Sequence, residues 1–270
     1  VATVLEFETE DDDGNYLDAY DFFYQTNPAD FPDWTTVSGM QDLFDSIDSI
    51  SGPDAGTSGF INFNFFGDVQ KTEDDVYTGF ANDDAFFAGL GNDIVRGRGG
   101  KDTLEGGKGD DRLAGGRGDD ELHGNLDNDV LKGGGGADKL FGDQGNDVLR
   151  GGRGQDELDG GAGEDLLDGK VGRDILTGGA DADTFQFKGN IDGDRITDFE
   201  LGLDTLKISA AIWDDAEIDT AQELVDTYGT TIDGEFVLDF SAGASGPGAD
   251  KITFAGIADG SQLVEDIMIF

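Results

Sequence analysis

Aspartate recurs at every ninth position through the middle of the chain, and this spacing is the strongest chemical signal in the sequence. A frame of G-G-x-G-x-D-x-U-x, in which U is a large apolar residue, runs from Gln70 to Gln186 in thirteen units without insertion or deletion. Carboxylates at regular spacing are suitable ligands for hard divalent cations. The candidate metal ligands are the aspartates at the sixth place of the units: Asp75, Asp84, Asp93, Asp102, Asp111, Asp120, Asp129, Asp138, Asp147, Asp156, Asp165, Asp174 and Asp183.

The apolar residue at the eighth place of each unit indicates how the chain positions these aspartates. In an extended x-U-x segment, U points to one face and its neighbours point to the other. We therefore predict three-residue strands, joined by glycine-rich segments that reverse the chain. Two reversals close one coil of eighteen residues, and stacked coils bury a continuous apolar column. Its members are Tyr77, Phe86, Val95, Leu104, Leu113, Leu122, Leu131, Leu140, Leu149, Leu158, Leu167, Leu176 and Phe185.

Stacking of the coils brings the aspartates of units n and n+2 close together. Neighbouring strands lie about 4.8 Å apart, and two carboxylates at that distance repel by about 1 kcal/mol in water and by more in a less polar environment. A divalent cation between them converts the repulsion into coordination. Calcium accepts six to eight oxygen ligands, whereas zinc, copper and iron prefer imidazole or thiolate. Thirteen aspartates form at most eleven such pairs, so we expect up to about eleven calcium ions.

Glycine at the second and fourth places allows backbone carbonyls to turn toward the same ion. Asn125, Asp127 and Asp143 replace glycine inside the array and weaken the prediction for their own sites. The predicted carbonyl ligands are Gly89, Gly91, Gly107, Gly109, Gly116, Gly118, Gly134, Gly136, Gly145, Gly152, Gly154, Gly161 and Gly163.

The nonapeptide resembles the repeat of RTX (repeats-in-toxin, haemolysin-type) calcium-binding proteins. This resemblance implies an all-β fold, a right-handed parallel β-roll with eighteen residues per turn. It also implies a calcium site with six oxygen ligands. One loop provides the backbone carbonyls of places two and four and the carboxylate of its aspartate. The loop one turn further on provides the backbone carbonyls of places one and three and the carboxylate of its own aspartate.

The segment Asp194–Phe199, followed by Gly202, Asp204 and Leu206, resembles the segment that follows the repeats in haemolysin-type and serralysin-type proteins. Two interpretations remain open for Asp192, Asp194 and Asp198. They complete a terminal metal site, or they form a turn and a solvated strand face.

Three regions follow from these patterns. Residues 1–69 are aromatic-rich and are predicted to be a small N-terminal cap or binding module, with an opening strand at Val4–Phe7, a helix at Met40–Ile50 and a strand at Phe60–Phe66. Residues 70–186 form the roll. Residues 187–270 form a mostly β C-terminal cap, with a helix at Thr220–Tyr228, a hairpin turn at Asp233-Gly234 and strands at Lys251–Ile257 and Leu263–Phe270.

The last residues, Glu265 and Asp266 followed by Ile267–Phe270, resemble the acidic-then-apolar terminus of bacterial type I secretion substrates. They also fit a closing strand of the cap. We therefore expect export through the type I secretion machinery and an extracellular location.

The composition limits the partners. The formal charge of −43, from 60 acidic and 17 basic residues, disfavours nucleic acid and anionic membranes as partners. Eleven calcium ions would offset about half of this charge. Cysteine is absent, no apolar run has the length of a membrane span, and the acidic N-terminal residues do not form a signal peptide. The single histidine, His123, is expected to be a solvated residue on the outer strand face.

No catalytic constellation accompanies these features. H-E-x-x-H, G-x-S-x-G and a phosphate-binding loop are all missing from the sequence. We therefore predict a non-enzymatic, secreted calcium-binding protein that is disordered without calcium and folds when calcium binds. Two alternatives stay open. Residues 1–69, with Trp34, could form an adhesin or polysaccharide-binding module, or the chain could be the C-terminal part of a larger secreted hydrolase or epimerase whose catalytic domain precedes Val1.

Overall fold

The computed structural model describes residues 3–10, 16–24, 74–189, 191–212, 218–241 and 250–270. It divides the chain into two compact units, Val1–Ile61 and Asn62–Phe270. In the first unit, strands β1 (Thr3–Glu10) and β2 (Tyr16–Tyr24) pair antiparallel, with Thr3 opposite Tyr24. The strand predicted at Val4–Phe7 is therefore confirmed. The helix at Met40–Ile50, the strand at Phe60–Phe66 and Trp34 lie outside the described residues.

The second unit contains a parallel β-solenoid of about seven turns with about 18 residues per turn, as predicted. Strands alternate between two sheets, and each pairs in parallel with the strand two further along the chain, so that Leu122 lies opposite Leu140 and Leu140 opposite Leu158. Strands β3 to β15 are Val76–Thr78, Ala85–Leu90, Ile94–Gly99, Thr103–Lys108, Arg112–Arg117, Glu121–Leu126, Val130–Gly135, Lys139–Gln144, Val148–Arg153, Glu157–Ala162, Leu166–Val171, Ile175–Ala180 and Thr184–Phe187.

The strands are longer than the three residues predicted. Strand β6 (Thr103–Lys108) covers places seven to nine of one unit and places one to three of the next, and most strands of the roll have the same length. The prediction was wrong because it treated all the glycines as turn residues. Pairing with the turns before and after holds these glycines in the ladder, so tertiary context overrides their local preference for turns. Only places four to six remain for the reversal.

The apolar column predicted at place eight is the core of the roll. From Val95 to Phe185 its side chains are at most 2 % exposed. Tyr77 and Phe86, in strands β3 and β4 at the start of the roll, are only partly buried and pack against the core. A buried leucine stabilises a fold by about 1.5–3 kcal/mol relative to an exposed one, so each added turn contributes through its two apolar residues.

The C-terminal region continues both sheets. Strand β16 (Asp194–Ile196) pairs with β14, and β17 (Thr205–Ile208) pairs with β15, both in parallel. The remaining strands are β18 (Gly229–Ile232), β19 (Glu235–Asp239), β20 (Lys251–Phe254) and β21 (Ile267–Ile269). In one sheet β19 lies between β18 and β20, and β20 joins β16, while in the other sheet β21 joins β17.

Local signals account for most of the remaining elements of the cap. Helix α1 (Ala221–Tyr228) begins after Thr220, whose side chain forms a capping box with Glu223. Asp233 and Gly234 form the predicted hairpin turn, each with a positive φ. Two short 3₁₀ helices span Ala210–Ile212 and Gly260–Glu265.

Two strands predicted in the cap differ from the structure. The strand predicted at Lys251–Ile257 ends at Phe254. The strand predicted at Leu263–Phe270 was too long, because Asp259 caps the 3₁₀ helix Gly260–Glu265 through the amide of Ser261 and leaves only Ile267–Ile269 extended. Within the described ranges, no helix is both long enough and apolar enough to cross a bilayer.

Candidate metal sites

The aspartates at place six form two hydrogen-bonded columns, which we call the aspartate ladder. In each column, the backbone amide of one aspartate donates to Oδ1 of the aspartate one turn further on, at 2.6–2.9 Å. One column is Asp75, Asp93, Asp111, Asp129, Asp147, Asp165 and Asp183. The other is Asp84, Asp102, Asp120, Asp138, Asp156 and Asp174.

The second carboxylate oxygen of most ladder residues is buried without a hydrogen-bond partner. This is true of Oδ2 in ten successive aspartates, from Asp93 to Asp174. Burial removes the water that would hydrate this oxygen, and no hydrogen-bond donor of the protein replaces it. For a charged group, this loss costs free energy. Ten equivalent unpartnered oxygens in one array call for a common explanation, such as an ion.

Backbone carbonyls lie beside these unpartnered oxygens. A Cβ added at Gly97 would fall against Oδ2 of Asp102 and 2.8 Å from the carbonyl oxygen of Gly115, one turn on. In other units the equivalent pair is Oδ2 of the aspartate five residues later and the carbonyl oxygen of the place-one glycine one turn on. This pair lies beside Gly106, Gly124, Gly133, Gly142, Gly151 and Gly160. Glycine at place one therefore leaves space in which a carboxylate oxygen and a carbonyl oxygen flank the same point. The sequence predicted aspartate as a ligand but did not reveal this role of the first glycine.

Burial raises the pKa of the ladder carboxyls from Asp93 to Asp183 above their usual range. Desolvation is the largest cause, the amide hydrogen bond from the preceding turn opposes it, and in most cases neighbouring carboxylates raise the pKa further. The pKa of Asp129 rises to about 8 and those of Asp138 and Asp165 to about 7. Fully charged, the ladder therefore needs a compensating positive charge.

The donor set fits a hard divalent cation. In the described part of the chain, no three His, Cys, Asp or Glu side chains cluster closely enough to hold a metal. An ion at the ladder would consequently take backbone carbonyls as well as carboxylates. Carboxylate and carbonyl oxygens together are the ligands that calcium prefers.

The predicted carbonyl ligands at places two and four occupy tightly stacked turns. Gly134 and Gly136 have φ values of +120° and +146°. A Cβ on Gly136 would overlap the carbonyl oxygen of Gly118, one turn earlier. Glycine therefore lets the turns stack closely at Gly136, and the role of both glycines as metal ligands stays a prediction. Asn125, Asp127 and Asp143 replace glycine but keep the positive φ of these places, with values of +78°, +76° and +72°.

The aspartate ladder continues past the end of the repeat frame. The amide of Asp174 donates to Oδ1 of Asp194 at 2.9 Å, and the amide of Asp183 donates to Oδ1 of Asp204 at 3.0 Å. Burial raises the pKa of Asp194 to about 8. The sequence indicated Asp194 as a candidate ligand but did not reveal the place of Asp204 in the ladder. The available signal was the D-x-U triplet, which recurs with Ile196 and Leu206 as the apolar residue.

Asp198 lies apart from the ladder. It accepts hydrogen bonds from the amides of Gly178 and Gly179, both at 2.9 Å, and so holds the last regular turn against the C-terminal region. A metal site that combines Asp192, Asp194 and Asp198 stays a prediction.

A second ladder at place five was also missed. The side chain of Asn92 accepts from the amide of Asp110 at 2.9 Å, and that of Asp110 accepts from the amide of Asn128 at 3.0 Å. These bonds run in the opposite direction to those of the aspartate ladder. The frequent Asp or Asn at place five was the signal. Because these side chains are exposed, they stabilise the turns without needing a cation.

His123 lies on the outer face of the roll, away from the ladder. Its ring stacks on Phe141 with 4.6 Å between centroids, and its nitrogens lie 3.4 Å from Glu121 and 3.4 Å from Asp143. The histidine is therefore half-buried among neighbouring side chains and less solvated than predicted.

Comparison with known proteins agrees with this geometry. The family model for the RTX calcium-binding nonapeptide repeat, which contains four copies, matches seven overlapping segments: residues 78–113, 96–131, 105–140, 114–149, 132–167, 141–176 and 159–193. No curated protein sequence matches the chain.

Two solved structures are similar to parts of the chain. The AlgE6R3 subunit from the Azotobacter vinelandii mannuronan C5-epimerase, determined in solution, is 28% identical over 56% of this chain and 78% of its own, with a TM-score of 0.35. The extracellular lipase LipA from Serratia marcescens is 19% identical over 72% of this chain and 40% of its own, with a TM-score of 0.30.

Proposed function

Because residues 78–193 carry RTX calcium-binding nonapeptide repeats, we propose that the chain is a secreted calcium-binding protein whose roll folds as its aspartate ladder takes up calcium. One observation carries the proposal: ten buried carboxylate oxygens have no partner in the described structure. Each lies on a carboxylate whose other oxygen is already fixed by the preceding turn. The chain thus provides pre-positioned oxygen ligands and leaves their charge uncompensated.

The residues that would hold each ion come from consecutive turns. Two ladder aspartates, such as Asp111 and Asp129, would each contribute a carboxylate, and glycine carbonyls at places one, two and four would contribute the rest. Bound calcium supplies the positive charge and the coordination that these oxygens otherwise lack. Without it, a folded ladder must keep carboxyl groups protonated or bear the repulsion between carboxylates, because burial raises the pKa of Asp129 and of Asp194 to about 8.

Folding and export are linked in this proposal by calcium concentration. Extracellular calcium modules bind calcium with dissociation constants of about 0.1–1 mM. These values lie well above the calcium concentration of the cytosol. The chain, with a net charge of −43, would therefore remain expanded inside the cell and fit a type I secretion channel. Outside, each site filled at 100 times its dissociation constant adds about 2.7 kcal/mol to stability. The free energy of calcium binding at several such sites outweighs the repulsion between the ladder carboxylates.

The C-terminal residues support the export step indirectly. Ile267–Ile269 form a strand that pairs with β17, so in the folded protein this terminus is part of the cap. A secretion machinery that recognises Glu265–Phe270 would have to bind it before the cap folds. This order agrees with folding after export.

The test compares the full chain in chelator and in millimolar calcium by circular dichroism, with magnesium at the same concentration as control. We expect disorder in chelator and in magnesium and β structure in calcium, because magnesium demands a smaller octahedral site. Isothermal titration calorimetry then counts the ions. A chelated protein that retains its full β signal at neutral pH would contradict the proposal.

A further inference from the structure

The two sheets of the roll carry opposite charges on their outer faces. Strands β5, β7, β9 and β11 have the sequences IVRGRG, RLAGGR, VLKGGG and VLRGGR, which contain seven of the 17 basic residues and no acidic residue. On the other sheet, β6, β8, β10 and β12 read TLEGGK, ELHGNL, KLFGDQ and ELDGGA, with five acidic residues and two lysines. A strongly acidic protein therefore has one locally cationic sheet.

On strands β5, β7, β9 and β11 the cations lack a salt-bridge partner within the described residues, and the nearest carboxylate in the register is Asp168 on β13, opposite Arg150. Among the described residues, none of Arg96, Arg112, Arg117, Lys132, Arg150 and Arg153 forms a salt bridge. On the opposite sheet, by contrast, Lys139 pairs with Glu157 at 3.1 Å. On the cationic sheet, the described salt bridge is the one that joins Lys170 to the buried Asp168 at 2.7 Å, one strand beyond this group. Unpaired guanidinium groups in an acidic protein are available for an external anion.

A groove runs across these strands, along the axis of the roll. Its floor is a row of glycines at place two, in which Gly116, Gly134 and Gly152 lie in register on consecutive strands. Lys132 and Arg150 lie opposite each other at place nine along one side. These residues, with Ala114 and Lys170, line a cavity of about 410 Å³, which we call the cationic groove. The exposed Arg117 and Arg153 lie at the strand ends, on the far side of the glycine row.

Glycine in the floor is not required by the fold alone. At the same place on the other sheet, Asn125 and Asp143 adopt φ values of +78° and +72° within the regular roll. At either end of the floor, Arg98 and Lys170 do the same, with φ values of +81° and +78°. The roll therefore accommodates side chains at place two, although a Cβ at Gly134 would require the carbonyl oxygen of Gly116 to shift. The three consecutive glycines, Gly116, Gly134 and Gly152, leave an open trough where side chains would otherwise project.

The geometry points to the cationic groove as a binding site for a linear acidic polysaccharide, one strand of uronic-acid residues lying along the axis of the roll. At place nine, Lys132 and Arg150 lie on adjacent strands, about 4.8 Å apart, and Ala114 separates them from Arg96. At place three, Arg117 and Arg153 lie two strands apart and about 10 Å away from the place-nine row along the strands. A trough of that width accommodates one extended chain. Carboxylates that repeat along the polymer would meet successive lysine and arginine side chains, and arginine binds carboxylates through two parallel hydrogen bonds.

Nucleic acid fits the groove less well. Proteins that bind single strands stack the bases on aromatic side chains, and strands β5, β7, β9 and β11 contain no aromatic residue. The net charge of −43 also repels the dense phosphates of a duplex at long range. A glycine floor between cationic rows matches a polymer of lower charge density that makes close contacts with each strand.

This inference goes beyond calcium binding and needs only a folded roll, so every measurement is made in calcium. The full chain is titrated by calorimetry with a uronic-acid oligosaccharide long enough to span four strands. A neutral glucan of the same length and single-stranded oligothymidylate are titrated in parallel. We expect the uronate to bind, its affinity to fall as salt is added, and the glucan not to bind. Absence of uronate binding, or tighter binding of oligothymidylate, overturns the inference.

Two matched variants locate the site. K132Q/R150Q removes two charges from the cationic groove, and K108Q/K139Q removes two charges from the opposite sheet. We expect the first to weaken uronate binding about tenfold, because it removes two exposed charges that would contact the carboxylates of the polymer, and the second to leave it unchanged. Equal loss in both variants would indicate non-specific attraction and overturn the inference.

A third variant, A114L, tests the groove without altering charge. Ala114 lines the groove opposite Lys132, at a place where Lys132 and Arg150 show that the roll accepts a long side chain. We expect uronate binding to weaken, because the added side chain occupies part of the groove, while the calcium-bound circular dichroism spectrum stays that of the unmodified chain, which establishes that each variant is folded. A folded A114L protein that binds uronate with full affinity would contradict a ligand lying in the groove.

Discussion

The backbone amide of Asp111 donates a hydrogen bond of 2.7 Å to Oδ1 of Asp129, one turn further along the roll. The other oxygen of Asp129 is buried without a partner. One oxygen of each such carboxylate is thus used for the register of the turns, and the other remains for an ion. The aspartate ladder therefore links the stacking of the coils to the binding of a cation.

The first prediction concerns the adjacent residues Asp110 and Asp111. D111N removes a buried ladder carboxylate that lies between Asp93 and Asp129, so we expect one or two fewer calcium ions by calorimetry and a higher calcium midpoint for folding. The control, D110N, makes the same charge change at place five, where Asn92 and Asn128 already occur in the same column. We expect it to bind like the unmodified chain. Equal effects of the two variants would assign the loss to net charge.

The second prediction concerns pH in the absence of calcium. Burial raises the pKa of Asp129 and Asp194 to about 8 and that of Asp138 to about 7, against about 3.8 in the unfolded chain. The folded, calcium-free roll therefore binds more protons than the unfolded chain between about pH 4 and pH 8. Its stability is greatest below the unfolded pKa and is lost as the pH rises through the folded pKa values.

Circular dichroism in chelator measures this dependence. We expect more β structure at pH 5 than at pH 8. At limiting calcium we expect more β structure at pH 8 than at pH 5. Protons compete with calcium for the carboxylates at pH 5, so a higher calcium concentration is needed there. A chelated chain with the same signal at both pH values would show that ladder protonation does not control folding.

The third prediction concerns the apolar column. L131A deletes a fully buried side chain and should lower the stability of the calcium-bound protein by about 2–5 kcal/mol, since neighbouring turns cannot close the cavity. Thermal unfolding in saturating calcium measures the change. Leu126 is 41% exposed on the outer face, so L126A is the matched control and should shift the midpoint little. Comparable losses for the two variants would place the core elsewhere.

The fourth prediction compares two neighbouring glycines. Gly136 has φ +146°, and a Cβ there would overlap the carbonyl oxygen of Gly118. G136A should therefore destabilise the calcium-bound roll by about 2 kcal/mol or more, from backbone strain and the clash with the preceding turn. Gly135 has no atom within 4 Å of its Cβ position, and G135A should be nearly neutral. Chemical denaturation in calcium distinguishes them, and a neutral G136A would mean that the turns separate easily.

Periodicity was a reliable guide to the roll because each turn repeats the same contacts. An apolar residue every nine positions, with a chain reversal in each unit, leads to coils of eighteen residues whose leucines stack. Strand length was less accessible, because the glycines at places one to three are held in the ladder by the turns before and after. The role of the first glycine was equally hidden, since the side chain it makes room for is Asp102 or its equivalent five residues later.

The sequence by itself determined the repeat, the apolar column, the aspartates at place six and the excess of negative charge. These depend on regular spacing, and regular spacing is visible in one dimension. Only the tertiary structure decided which carboxylate oxygen is free, that Asp194 and Asp204 extend the two columns, and that lysines and arginines of alternate units flank one glycine trough. Those relationships arise from strand pairing across turns, which aligns residues whose separations of 20 and 21 positions no longer follow the repeat.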